Sequence, residues 1–150
     1  MRARVALWMI WIAIICFGFN TNMLAVGETA NARVTILVAS NNGTDFDLDN
    51  DAYRDELIKL FAFTSYRQVQ SQLVELTQGG GSEVILPEGY VLSLTYQGKE
   101  ADNTLVKGLI TKDSVQIIDT ILSVKKEGVV FLGGPQVSDG SLVIVLEMNF

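Results

Sequence analysis

The chain has 150 residues, a net charge of −6, a single cysteine and no histidine. Without histidine there is no Ser-His-Asp or Cys-His nucleophile pair and no imidazole zinc site, and the length suits one compact domain. With 17 acidic against 11 basic residues it is not expected to bind nucleic acid, since phosphate binding relies on clustered Lys and Arg.

Residues 1–32 have the order of a secretory signal peptide. Arg2 and Arg4 open it, residues 5–19 form an uncharged run of 15 rich in Trp, Ile and Ala, and polar Asn20, Thr21 and Asn22 follow. The run is shorter than the ~20 residues of a spanning helix. Ala30-Asn31-Ala32 has the small-x-small form of a cleavage site, which puts the mature N-terminus at Arg33. Cleavage after Ala25 is a second reading, and an uncleaved anchor, the chain's one route to a membrane, is the third. Cys16 follows Ile15 inside the apolar run, unlike a lipidation signal, and reads as a small hydrophobe. Removing residues 1–32 takes away Arg2, Arg4 and Glu28, so the remaining 118 residues carry 9 basic and 16 acidic side chains, a charge of −7. A domain of that size can bury about 65% of its unfolded surface, enough for a core without disulfides or metal. The expected location is the periplasm or the extracellular space.

Residues 34–39 (VTILVA) form a continuous β-branched apolar run that ends at Ser40-Asn41-Asn42-Gly43, the pattern of a buried strand. Tyr53, Leu57, Leu60 and Phe61, with Ile58 beside them, predict an amphipathic helix starting near Asn50 or Asp51 and stopping near Phe63-Thr64. Both Leu57 and Leu60 are expected in the core. Residues 66–77 alternate weakly and read as a strand, with a helix as the alternative. Gly79-Gly80-Gly81 is expected as a hairpin loop. Pro87-Glu88-Gly89 is a turn between strands at 83–86 and 90–96, and in the second of these Leu92, Leu94 and Tyr96 alternate with Val91, Ser93 and Thr95. Strands at 104–111, 114–124, 129–132 and 141–148 complete the set, with residues 133–140 as a separator. The fold class is α+β, mostly β: an antiparallel sandwich or curled sheet with one early helix covering an end or a face.

The segment Lys126-Glu127-Gly128-Val129-Val130-Phe131-Leu132-Gly133-Gly134 resembles the strand-turn element of secretins, the outer-membrane channels of secretion and pilus systems. The likeness covers nine residues of the 150, and the chain is too short for the channel-forming region, so channel activity is not carried over. Hairpin physics alone also yields a charged turn, an apolar strand and a Gly-Gly exit. More widely, the order of strand, Ala39-Ser40-Asn41 turn, helix, Phe63-Thr64-Ser65-Tyr66, then Leu86-Pro87-Glu88-Gly89-Tyr90 and Leu132-Gly133-Gly134-Pro135 resembles small exported bacterial proteins of uncharacterised function. That resemblance implies an envelope setting and supplies no mechanism.

The sharpest candidate site is residues 45–56. Counted from Asp45, carboxylates fall at positions 1, 3, 5, 7 and 12, namely Asp45, Asp47, Asp49, Asp51 and Glu56. An EF-hand loop uses positions 1, 3 and 5, a carbonyl at 7 and a bidentate Glu at 12, because a hard cation takes six to eight oxygens. Asn50 stands where the loop glycine would be, Ala52 replaces the usual aliphatic, and a strand precedes the loop where an EF-hand has a helix. The competing reading, adopted here, is an acidic turn whose Asp49 and Asp51 cap the helix and complement its dipole. No cofactor is otherwise expected, calcium being the one candidate.

Weaker patterns are each given their plain reading. The D-x-D pairs Asp45/Asp47 and Asp47/Asp49 lack a nucleotide-binding βαβ unit, and Gly79-Gly80-Gly81 lacks the lysine and helix of a phosphate loop. Tyr53, Tyr66, Tyr90 and Tyr96 offer rings for a carbohydrate face, though strand and helix tyrosines more often pack. Glu75, Glu83 and Glu88 are available for a carboxylate pair, with nothing to set their separation. The expected function is a non-catalytic exported envelope module that binds or scaffolds another protein, with a calcium-dependent or carbohydrate-binding domain as the alternative.

Overall fold

The computed structural model describes residues 27–48 and 51–149. Among them are eight strands and one α-helix: β1 (Thr29–Ser40), α1 (Asp51–Phe61), β2 (Ser65–Thr77), β3 (Gly81–Ile85), β4 (Tyr90–Glu100), β5 (Asn103–Lys112), β6 (Val115–Lys125), β7 (Val129–Val137) and β8 (Gly140–Asn149). They form two antiparallel four-stranded sheets, β2-β1-β8-β7 and β3-β4-β5-β6. The mostly-β sandwich read from the sequence is the fold. Each strand pairs with its sequence neighbour except at β2–β3 and β6–β7, where the chain passes from one sheet to the other. Among the described residues no helix is long and apolar enough to cross a membrane.

The core between the sheets is built by strand alternation. Ala32, Val34 and Ile36 of β1 and Leu142, Ile144 and Leu146 of β8 face Leu92, Leu94 and Tyr96 of β4 and Val106 and Ile110 of β5. A second, smaller core lies on the outer face of the first sheet. There Leu37, Ala39, Tyr66, Val143 and Val145 are buried by Leu57, with Tyr53, Phe61, Phe46 and Phe131 packed around them. This double burial explains the continuous apolar runs at 36–39 of β1 and 142–146 of β8: both faces are covered there, whereas residues 29–34 of β1 alternate exposed and buried.

The helix is rolled onto the stripe Tyr53, Leu57 and Phe61, spaced four apart. Leu57 is 0% exposed, whereas Leu60 is 57% exposed, so the expectation that Leu60 enters the core is corrected. A three-turn helix on one sheet covers a narrow stripe, and residue 60 falls to its side. The helix ends at Ala62, in the left-handed region at φ 55°, where the amide donates to the Ile58 carbonyl at 3.0 Å. Buried Tyr66 then ties it to the sheet, its hydroxyl donating to the Leu57 carbonyl at 2.9 Å. Burial raises the Tyr66 phenol pKa above its ordinary 10.0.

Residues 29–32 belong to β1, with Ala30 and Ala32 buried; residues 1–26 of the expected leader lie outside the described residues. Two further expectations change. The glycines at 79–81 lie where the chain crosses between the sheets, with Gly81 opening β3, and do not make a hairpin. Residues 133–137 continue β7 through a register break at Gly133/Gln136, where a separator was expected. The two glycines are needed there. A Cβ on Gly133 would stand 3.0 Å from the Phe61 ring, and one on Gly134 3.0 Å from Leu142 Cβ, so helix and core both close onto bare backbone.

Candidate functional site

Asp45 to Leu48 do not curl into a loop. The segment runs extended beside β2, with an isolated parallel bridge between Phe46 and Tyr66. The Tyr66 amide donates to the Asp45 carbonyl at 2.7 Å, and the Asp47 amide donates to the Tyr66 carbonyl at 3.1 Å. The Asp47 carboxylate accepts the Gln68 amide at 3.0 Å, so it serves the edge of β2. Phe46 and Leu48, on the other side of the extended segment, join the outer core, and Arg54 lies 5.4 Å from the Phe46 ring centre. Asp51 opens α1, where its charge suits the helix dipole, and Glu56 is exposed on the same helix. Asp49 lies outside the described residues. Among the described residues no group of three or more acidic side chains comes together to hold a metal ion.

The tyrosines do not share a face. Tyr66 and Tyr96 are buried, Tyr90 lies under Lys112 at 4.5 Å, and Tyr53 stacks edge-on against Phe131 at 5.6 Å. Glu75 lies on β2, Glu83 on β3 and Glu88 in the turn before β4, so the three carboxylates are spread over separate elements. Glu88 accepts the Ser138 amide at 2.6 Å, which holds its carboxyl below the usual 4.5.

Two surface regions remain. The first is a polar cleft of about 210 Å³ at the start of α1, lined by Arg33, Thr35, Leu48, Tyr53, Gln68, Ser71 and Glu147. Its side chains are bonded to one another: Tyr53 donates to Glu147 Oε1 at 2.7 Å, Arg33 reaches Glu147 Oε2 at 4.0 Å, and the Thr35 and Ser71 hydroxyls pair at 3.0 Å. These contacts fasten α1 to β8, β8 to β1 and β1 to β2.

The second region is the edge of the other sheet. A sandwich of two open sheets has four edges, and two of them here are short or interrupted: β3 has five residues, and β7 carries Pro135 and the register break. β2 is covered by residues 45–48 along Tyr66–Gln68 and continues beyond them as an edge, with Val69 and Leu73 42 and 68% exposed. β6 is the long edge of the other sheet. It has 11 residues, no proline and, among the described residues, a single hydrogen-bonded neighbour, β5. Val115, Ile117 and Ile121 are 61, 46 and 64% exposed. Ile117 is the extra residue of a bulge opposite Ile110 and Thr111, after which the ladder runs unbroken from Ile118 to Lys125. The one acidic side chain in that stretch, Asp119, is matched by Lys107 of β5 at 3.3 Å, so its charge is offset within the sheet. The sequence analysis gave this strand no functional role. The signal was present in VQIIDTILSV, where apolar residues occupy both alternating sets of a strand that has no second layer over it.

No family model, no curated protein and no solved structure matches the chain.

Proposed function

We propose that the chain is an exported, non-catalytic envelope module that binds another protein by accepting an extended segment of that partner alongside β6. The observation that carries this reading is the unprotected β6 edge. Its outward backbone groups offer a row of donors and acceptors, and Ile121 offers an apolar contact beside them. Edge strands of this length and polarity are normally blunted, because they pair with whatever strand they meet. A dedicated partner is the functional counterpart of that hazard. A chain with no histidine is poorly equipped for general base chemistry near neutral pH, which favours binding over catalysis. Placement in a secretion or pilus-like assembly is supported by the resemblance carried by residues 126–134, which form the exit from β6 and the following strand.

Site-specific photocrosslinking in the intact envelope tests the reading. A photoreactive side chain at position 121 or 123 should give an adduct of one reproducible mass, whereas one at position 60, equally exposed on α1, should give none. Ile121→Lys should abolish the adduct formed from position 123, while changing stability by no more than ~0.5 kcal/mol, as for a surface site. An adduct from position 60 in place of β6, or one indifferent to Ile121→Lys, contradicts the proposal.

A further inference from the structure

We infer that the leader is removed after Gly27, at Ala25-Val26-Gly27, so that the exported chain begins at Glu28. The inference rests on the export reading above and changes where processing falls. The Ala30-Asn31-Ala32 motif is part of the fold. Thr29 to Arg33 pair with Thr77 to Leu73 of β2, and Asn31 and Ala32 pair with Asn149 and Met148 of β8. Ala30 and Ala32 are small because they point into the core between the sheets. Cutting after Ala32 would leave the far end of β2 without its partner and open the core around Leu76 and Met148.

Among the described residues Glu28 is the first with hydrogen-bond partners for both its backbone and its side chain. Its carbonyl accepts the Gln78 amide at 3.0 Å, and its carboxylate binds the Lys99 ammonium and accepts the Tyr96 hydroxyl at 2.9 Å. Losing Glu28 would remove the acceptor of that phenol, whose ring is buried in the core while its hydroxyl lies at the core's rim. Immediately before Glu28 stands Ala25-Val26-Gly27, with small residues at the first and third positions before the cut; Ala25 and Val26 lie outside the described residues. Cleavage after Ala25 would instead place Met23 at the third position. A leader of 27 residues also falls within the usual span of about 15–30, whereas one of 32 exceeds it.

The test is expression of the full chain in an export-competent bacterium, with intact mass and N-terminal sequencing of the product. Protease accessibility in spheroplasts reads export separately. The expected result is an accessible product starting at Glu28, and loss of that mature species in favour of precursor for Gly27→Leu. An accessible product starting at Arg33 or Val26, or normal processing of Gly27→Leu, overturns the inference and leaves the export reading standing. A chain retained whole and inaccessible overturns both.

Discussion

The two sheets of this sandwich share one core and differ in what lies behind them. Behind β1 and β8 sits α1, with Tyr66, Leu57 and Phe131 filling a second apolar layer, and the stretches 36–39 of β1 and 142–146 of β8 are apolar at every position. Among the described residues no second layer lies behind β4 and β5, and their outward positions include the half-exposed Val91, Ser93, Thr95, Leu105, Lys107, Leu109 and Thr111. One sheet is covered by a helix on its outer face and by the extended segment along Tyr66–Gln68 of β2. The other is open at its outer face and along β6. Under the proposed function the first sheet serves structure and the second contact, because a surface already committed to internal packing has little left to offer a partner.

The largest expected effect tests how far α1 belongs to the closed side. Leu57→Ala should cost about 2–5 kcal/mol, since it empties a fully buried site, whereas Leu60→Ala should change stability by no more than ~0.5 kcal/mol. Denaturant midpoints of the two variants measure this. Equal losses would mean that the helix is rolled differently and that its outer core is not the one described.

A smaller effect reads how the two sheets are held together. Glu28 joins the start of β1 to Tyr96 and Lys99 of β4, and Glu88 joins the turn before β4 to Ser138 between β7 and β8. Both carboxyls are held below their ordinary 4.5, Glu28 chiefly by its hydrogen bond with Lys99 and then by Tyr96, Glu88 chiefly by the Ser138 amide. The stability that each contributes is therefore complete above about 4.5 and is lost as pH falls through the lowered folded-state value. Melting temperature should decline through that acid range, and Glu28→Gln and Glu88→Gln should each flatten the decline. A slope unchanged in both variants would show that the sheets are closed by apolar contact alone.

Much of the closed side was legible in the sequence. The apolar run at 34–39 and the spacing of Tyr53, Leu57 and Phe61 announce a doubly buried strand and the helix that covers it, and alternation at 90–96 marks a strand with one bare face. What was hidden depended on tertiary context. Ala30 and Ala32 look like a cleavage signal because small size is required both by a protease and by two closely packed sheets. Gly133 and Gly134 look like a chain break, yet they continue β7 where a Cβ would crowd Phe61 and Leu142. The acidic residues of 45–51 read as a loop, yet local composition carried no sign that Asp45 and Asp47 would line up along Tyr66 and Gln68 of β2. The exposed edge of β6 was the least legible, because strand order decides which strands are edges and short-range pattern does not encode it.

Residue-resolved amide hydrogen exchange on the purified chain alone addresses the contrast most directly. In an edge strand, alternate amides point to the paired neighbour and to solvent, whereas a strand paired on both sides has every amide engaged. The account predicts alternating protection along residues 118–125 of β6, with the amides facing β5 slow and the others fast, and continuous protection along the stretch of β1 that pairs with both β2 and β8. Uniform protection along β6, or alternation along β1, would contradict it.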